Sequence, residues 1–163
     1  MQEIYEIVKQ MRNNASPGPD GLNAAFYKSA WSWIKQDVIK LVTDFYSSGH
    51  FRDDINKTYI ALIPKKDQPQ IPQDFRPISL CNVIYKIIAK SLANRIKPHL
   101  PNTINHAHAA FITDRRISSN VIIIQEIIHS FNLKTWNQKA FILKLDLAKA
   151  FDRLERGFIE TAL

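Results

Sequence analysis

Apolar residues recur with the period of an α-helix along much of the chain. Ile4 to Met11 places them at positions 4, 7, 8 and 11, and Asp37 to Tyr46 repeats such a stripe. Asn82 to Ile96 gives the clearest pattern, because its isoleucines and leucines share one face while its lysines lie elsewhere. Val121 to Phe131 is apolar almost throughout, which predicts a buried helix despite four consecutive β-branched residues. A last helix is predicted to begin at Gly157.

Other segments are rich in residues that favour β-strands. Thr58 to Ile63 is such a segment and is stopped by Pro64, and Phe75 to Leu80 is another. A polar, proline-containing loop separates the two, which predicts a hairpin over about residues 57–80. Phe141 to Leu145 is predicted to form a further strand. Helices, a hairpin, more helices and a strand in this order indicate an α+β fold.

Helix ends are marked by capping and breaking residues. Ser16 to Gly21 contains two prolines and two glycines, so no helix can run through it. Asn23 is predicted to cap the helix that follows, because its side-chain oxygen can accept a hydrogen bond from a free backbone N–H. Gly49 is predicted to end the helix that contains Asp37 to Tyr46.

Composition and charge narrow the class of protein. The length of 163 residues and a hydrophobic fraction of 45% suit one globular domain. No apolar run is long enough for a membrane span, and Met1-Gln2-Glu3 does not begin a secretory signal. Cys81 is the only cysteine, so no internal disulfide can form. Lys57 to Leu100 carries eight basic and two acidic residues, hence +6 of the total net charge of +7, which indicates either a surface for a polyanion or a solvated basic face.

Asp146 is the best candidate for chemistry. It ends the apolar segment Phe141 to Leu145, and a carboxylate there is costly unless it is paired or holds a metal. Asp152 follows six residues later, roughly 20 Å away along a strand, which is too far for one metal cluster. Asp146 would therefore need partners from other strands. The alternative is that it caps a helix or forms an ion pair.

A second candidate site lies around the predicted hairpin loop. Lys65, Lys66 and Arg76 flank this loop and can converge on one anion, with a guanidinium fork and two point charges. A solvated loop is the alternative reading. His106 and His108 lack the spacing and companions of a zinc site, so we interpret them as surface residues.

Four sequence strings, taken together, resemble one family. Ser16 to Gly21 (S-P-G-P-D-G), Ile63 to Lys66 (I-P-K-K), Asp74 to Asn82 (D-F-R-P-I-S-L-C-N) and Lys144 to Asp152 (K-L-D-L-A-K-A-F-D) occur in this order. In order and spacing they are similar to the reverse transcriptases of non-LTR (LINE-type) retrotransposons, most of all those of plant genomes. The resemblance spans residues 12–160. It implies a right-hand polymerase, with fingers over residues 1–140 and the first strand of the palm beginning in 141–163.

The resemblance assigns roles near the end of the chain. It implies that Asp146 is the first catalytic aspartate and a ligand of Mg²⁺, and that the backbone carbonyl of Leu147 completes the coordination. Phe151 matches the steric gate that excludes a ribose 2′-OH. The reaction implied is RNA-directed DNA synthesis by two-metal nucleotidyl transfer.

It also assigns roles to basic residues and names partners. Arg76 and one of Lys65 and Lys66 are expected to grip the incoming triphosphate, while Arg95 and Arg115 are candidate contacts with nucleic acid. The partners implied are an RNA template, a DNA primer and dNTPs, with no membrane. Action in the nucleus follows from the way such elements insert.

Several features depart from the family pattern. The family's Tyr-x-Asp-Asp box and thumb have no counterpart in these residues, so the isolated chain is expected to be a truncated, inactive piece. His108 stands where the family has Gln, Ser119 where it has Asp and Arg156 where it has Trp. Asp114 stands where the family has Gly, which predicts a strained turn. Such changes are typical of a decaying copy.

Three other interpretations stay open. The chain can be a non-catalytic fragment that binds RNA or DNA through its basic segment, or a remnant without a selected function. A group II intron maturase shares Phe-Arg-Pro-Ile and a strand-borne aspartate, although the Ser16 to Gly21 string favours the LINE type.

Overall fold

The computed structural model describes residues 2–132, 141–146 and 153–162, which fall into two compact units. The first unit covers residues 1–114 and the second residues 115–163. Helices dominate, and the sheet in the described part is a two-stranded antiparallel hairpin. The predicted α+β class, rich in helix with a short hairpin, is confirmed.

The first unit holds the elements that shape the candidate site. In chain order they are α1 (Gln2–Gln10), α2 (Ala24–Ser29), α3 (Trp31–Ser48), α4 (Asp53–Asn56), β1 (Thr58–Pro64), a 3₁₀ turn (Pro72–Asp74), β2 (Phe75–Cys81), α5 (Val83–Ile96) and α6 (Leu100–Thr103). These bounds agree with the predicted helices and with both predicted strands of the hairpin.

The predicted caps are also present. Asn23 Oδ1 accepts a hydrogen bond from the backbone N of Phe26 at 3.0 Å and so caps α2. Gly49 ends α3 in the left-handed conformation, with φ 72°, and its N donates to the Phe45 carbonyl at 2.8 Å. Local side-chain chemistry therefore sets these boundaries, as the sequence predicted.

The core of the first unit lies among α1, α3 and α5. Ile87 and Ile88 of α5 are 0% and 1% exposed, and the other buried members of the cluster come from α1, α2, α3 and α5. They are Ile4, Ile7, Val8, Tyr27, Val38, Val42, Val83 and Ile84. Burial raises the pKa of Tyr27 to about 12. The apolar stripes seen in the sequence thus meet in one cluster.

The hairpin itself extends away from this core. Its register pairs Thr58 with Cys81 at the base and Pro64 with Phe75 at the tip. Both faces carry exposed apolar side chains, because Ile60 and Leu62 on one face are 63% and 62% exposed and Tyr59 on the other is 62% exposed. Among the described elements the two strands pack extensively only on each other.

The second unit corrects two predictions. α7 (Ile117–Asn132) is the helix predicted over Val121 to Phe131, but the prediction that it is buried is wrong, because its valine and isoleucine side chains are 42% to 68% exposed. Residues 141–146 have no regular secondary structure and all are exposed, so the strand predicted over Phe141 to Leu145 is not formed. A strand needs a hydrogen-bonded neighbour, and the described residues supply none for this segment. α8 (Arg156–Ala162) agrees with the predicted last helix.

We also searched the helices of the described residues for a membrane span. None of them is both long enough and apolar enough to cross a bilayer.

Candidate functional site

The hairpin brings Lys65, Lys66 and Arg76 to its tip. Arg76 pairs with Ile63 in the strand register, and Lys65 directly follows Pro64, the last residue of β1. The N of Lys65 donates to the Asp74 carbonyl at 2.7 Å, which continues the ladder by one hydrogen bond. The three cations that the sequence placed around the loop therefore lie at one end of the hairpin.

Asp74 organises the loop between the two strands. Its Oδ2 accepts hydrogen bonds from the backbone N of Gln70 at 2.9 Å and of Ile71 at 3.2 Å, and Lys66 Nζ lies 2.8 Å from the same oxygen. The hydrogen bond from Lys66 and then the one from the Gln70 amide hold the pKa of Asp74 below its usual value. Asp74 is therefore a structural anion that holds the loop closed.

The three tip cations differ in what they already bind. Lys65 Nζ donates to the Gln73 carbonyl at 2.7 Å, and Lys66 forms the ion pair with Asp74. Arg76 is exposed and, within the described residues, forms no hydrogen bond or ion pair with its side chain. Its guanidinium fork is therefore ready for an incoming anion, whereas each lysine would have to share an existing partner.

Asp146 lies in the second unit, in the exposed segment 141–146. Leu147 and Phe151, the other predicted palm residues, lie outside the described residues, as does Asp152. Among the residues that the structure describes, no three His, Cys, Asp or Glu side chains come together as a metal site would require. The described carboxylates therefore do not form a metal centre by themselves.

Arg95, predicted as a contact with nucleic acid, holds α5 to α1. Its Nη2 lies 3.0 Å from Glu3 Oε2, and its guanidinium carbon lies 4.3 Å from the centre of the Tyr46 ring. Ser91, which is 0% exposed, donates to Glu3 Oε1 at 2.8 Å and shares a 2.8 Å hydrogen bond with the Tyr46 hydroxyl. The hydrogen bonds from Arg95 and then from Ser91 lower the pKa of Glu3. This arrangement gives Arg95 a structural role that the sequence pattern did not reveal.

The segment between α6 and α7 contains two strained residues. Asp114 has φ 64°, so the strained turn predicted from its place in the family pattern is confirmed. Phe111 has φ 63° and a side chain that is 97% exposed, which the sequence did not indicate. Arg115, the other predicted contact with nucleic acid, is half-buried at the start of the second unit.

Sequence reasoning also missed a contact at the base of the hairpin. Asn82, between β2 and α5, is 6% exposed, and Gly18 packs against it. Both residues belong to the strings that carry the family resemblance, but neither was assigned a role. The position of Asn82 directly before a helix predicts a helix cap, which is not the contact that its side chain makes.

Comparisons with known proteins agree with the family resemblance that these strings carry. The profile of the reverse transcriptase (RNA-dependent DNA polymerase) family matches residues 63–159. The chain is a member of the reverse transcriptase family. The match runs from the tip of β1 through Asp146, so it includes both candidate regions.

Among its relatives is the transposon TX1 uncharacterized 149 kDa protein of Xenopus laevis, with 31% identity over 98% of this chain and 12% of the relative. The Pol polyprotein of the type-1 retrotransposable element R2 of Nasonia vitripennis is 29% identical over 99% of this chain and 15% of its own length. The Pol polyprotein of the type-2 retrotransposable element R2DM of Drosophila melanogaster is 26% identical over 92% of this chain and 14% of its own length. The chain thus spans 12% to 15% of these relatives. They come from a frog, a wasp and a fly, and give no support to a plant-like origin in particular.

Membership of the reverse transcriptase family has consequences for ligands. The family generally uses a divalent metal ion and acts on a nucleic acid template and primer. Asp146 has the ligand chemistry that such an ion prefers, but the described residues form no group of three His, Cys, Asp or Glu side chains around it. The hairpin tip, by contrast, offers cations suited to a phosphate group.

Proposed function

We propose that this chain is part of an RNA-directed DNA polymerase encoded by a non-LTR retrotransposon. The observation that carries the proposal is the family match over residues 63–159, which joins the cationic hairpin tip to Asp146 in a single domain type. Residues 1–140 then form the fingers region and residues 141–163 begin the palm. The template is RNA, the primer is DNA, the substrates are dNTPs, and synthesis takes place in the nucleus.

The hairpin tip supplies the charge that a dNTP needs. A triphosphate carries several negative charges. The guanidinium of Arg76, which has no partner among the residues that the structure describes, can bind two of its oxygens at once. Lys65 and Lys66 add positive charge on either side of this contact. These residues hold the substrate, and their contribution is positioning and charge stabilisation rather than proton transfer.

The predicted palm residues are assigned to the metal ion and to the sugar of the nucleotide. Mg²⁺, when bound, stabilises the attacking and leaving oxygens of the transfer. We assign the Asp146 carboxylate and the Leu147 carbonyl to its coordination and Phe151 to discrimination against ribonucleotides. The 163 residues carry one of the family's catalytic carboxylates, so a polypeptide limited to them is expected to extend no primer.

A chimaera tests this proposal. Residues 1–163 would replace the matching segment of the Nasonia R2 polyprotein, and RNA-templated incorporation of dNTPs would be measured. Asp146→Asn is expected to abolish incorporation, while Asp53→Asn, an exposed carboxylate on α4, should leave it unchanged. Arg76→Gln should raise KM for dNTPs by about tenfold or more, because a charge-assisted bidentate contact is lost.

Two further variants complete the test of the chimaera. Lys57→Gln, which removes a cation at the base of the hairpin, is the control for Arg76→Gln and should leave KM near its original value. Phe151→Ala should increase incorporation of ribonucleotides. Incorporation that survives Asp146→Asn would contradict the proposal.

A second candidate function is binding of nucleic acid without catalysis. The net charge of +6 between Lys57 and Leu100 favours it. The isolated chain would then bind duplex DNA with a log affinity that falls with log salt by about 0.9 for each phosphate neutralised. Replacing Lys65, Lys66 and Arg76 with Gln should reduce this slope, whereas the same change at Lys35 and Lys40 of α3 should not. A slope near zero for the original chain would rule out this function.

A further inference from the structure

The loop of residues 17–21, called here the PGPDG loop, is pressed against the base of the hairpin. Gly18 is buried, and a Cβ atom added to it would lie 2.6 Å from the carbonyl carbon of Cys81 and closer still to the side-chain oxygen and the backbone N of Asn82. Two of these neighbours are backbone atoms, which cannot rotate away as a side chain can. Only glycine therefore allows this approach, and any larger residue would push the loop and the hairpin base apart.

Asn82 links this loop to two other segments. Its Oδ1 accepts a hydrogen bond from the N of Asp20 at 3.2 Å, and its Nδ2 donates to the carbonyls of Asp54 at 3.2 Å and Ile55 at 3.4 Å. The side chain is 6% exposed. One amide therefore joins the PGPDG loop, α4 and the junction between β2 and α5.

The orientation of Asn82 is unusual for its position. Asn82 is the N-cap residue of α5, where a side-chain oxygen ordinarily accepts a hydrogen bond from the first turn of the helix, but here it makes no such bond. The loss of such a cap ordinarily destabilises a helix. The side chain is instead used entirely for the links between segments, which indicates that these links matter more than the cap.

The hairpin has little else to fix its direction. Its strands pack extensively only on each other among the described elements, and both of its faces are largely exposed. From Cys81 to the tip at Phe75 the strand spans roughly 20 Å, so a rotation of roughly 10° at the base would move the tip by roughly 3–4 Å. Displacements of that size exceed what a triphosphate contact tolerates.

We propose that Gly18 and Asn82 form a latch that sets the angle of the hairpin and thereby positions Lys65, Lys66 and Arg76. They are positioning residues, because they do not touch the substrate themselves. The role of the latch at the hairpin base is independent of catalysis, while its consequence for a triphosphate rests on the proposed function. The glycine provides the close approach, and the asparagine provides two donors and one acceptor that no isosteric residue can supply together.

Residual dipolar couplings of backbone amides in the 163-residue chain test the latch directly. The couplings of β1 and β2 report the direction of the hairpin relative to α1, α3 and α5. Gly18→Ala and Asn82→Asp are both expected to shift the β1 and β2 couplings while those of the three helices keep their mutual orientation. Asn82→Asp keeps the size of the side chain but loses both donors, so it serves even if Gly18→Ala prevents folding.

Two control variants separate the latch from a general loss of stability. Gly49→Ala strains a left-handed helix end where nothing lies within 4 Å, so it destabilises α3 without touching the hairpin. Asn23→Asp keeps the acceptor that caps α2. Neither control should move the β1 and β2 couplings. Unchanged couplings in both latch variants, or equal shifts in the controls, would overturn the latch.

The consequence for ligand binding is measured with inorganic tripolyphosphate by calorimetry. Both latch variants should bind it at least about threefold more weakly than the original chain, because the tip cations no longer converge. If the couplings shift but this affinity does not, the positioning role is overturned. If the original chain binds no tripolyphosphate, the triphosphate grip of the proposed function fails, and the couplings still decide separately whether the latch exists.

Discussion

α5 in the first unit and α7 in the second are both long apolar helices, and they differ in what covers them. Ile87 and Ile88 of α5 are 0% and 1% exposed, whereas Ile123 and Ile124 of α7 are 52% and 50% exposed. The sequence predicted an apolar face for α5 from its periodicity, and burial for α7 because that segment is apolar almost throughout. The difference shows that an apolar stripe determines which face of a helix seeks a partner, while the partner itself must come from elsewhere in the fold.

The largest expected effect comes from truncating one isoleucine in each helix. Ile87→Ala removes a fully buried side chain and leaves a cavity, so it should lower the free energy of unfolding by about 2–5 kcal/mol. Ile123→Ala removes a half-exposed side chain and should cost less than about 1 kcal/mol. Guanidinium unfolding followed by far-UV circular dichroism measures both. Equal losses would mean that α7 is as well packed as α5, and the comparison would fail.

A smaller effect is expected at Asp114, the last residue of the first unit. Asp114→Gly should raise the free energy of unfolding by about 0.5–1 kcal/mol, because glycine adopts φ 64° without strain and this outweighs the added freedom of the unfolded chain. Thr113→Gly is the matched control and should destabilise by a similar amount, because Thr113 has no positive φ to relieve. The same guanidinium titration measures the free energy of unfolding of both variants. If both changes destabilise the protein, Asp114 is not strained.

The smallest effect is a pH dependence within the first unit. The folded pKa of Glu3 lies below its ordinary value of 4.5, because Arg95 and Ser91 donate hydrogen bonds to the ionised carboxylate. The ion pair therefore contributes stability above about pH 4.5, and this contribution is lost as the pH falls through the lowered pKa. It should amount to less than about 1 kcal/mol, because the Glu3 side chain is 38% exposed.

Thermal unfolding between pH 3 and pH 7 measures this contribution. Glu3→Gln should flatten the acid limb of the curve, and Glu6→Gln on the same helix should not. An acid limb that is unaltered by Glu3→Gln would show that other carboxylates account for it.

The same contrast between α5 and α7 explains how much of the fold the sequence could predict. Asn23, Gly49 and Pro64 mark the ends of their elements through local chemistry, so the helices and the hairpin of the first unit could be predicted. The strand expected over 141–145 depends on a neighbouring strand, and the burial of α7 depends on a packing partner, so neither follows from local pattern. Asp146 was a candidate because it follows an apolar segment, and Arg76 because of the charge around the loop. The resemblance to reverse transcriptases assigned their roles and predicted the strain at Asp114.

The contacts that sequence reasoning missed link distant parts of the chain. Glu3 meets Ser91 across 88 residues, and Asn82 meets Asp20 across 62. A single sequence gives no sign of such pairings, because each residue is unremarkable in its own segment. Only the fold shows that Ser91 joins α5 to α1 and α3, and that Asn82 and Gly18 join the base of the hairpin to the PGPDG loop.

The hairpin tip has a practical consequence for proteolysis. Lys65 and Lys66 are exposed in a loop, which is where trypsin cuts most readily. A cut there would leave the pairing from Thr58–Cys81 to Pro64–Phe75 in place, so the two pieces should stay associated and separate only in denaturant. The tip is thus a place where the chain can be opened, labelled or extended by an inserted peptide while the ladder behind it keeps the unit whole.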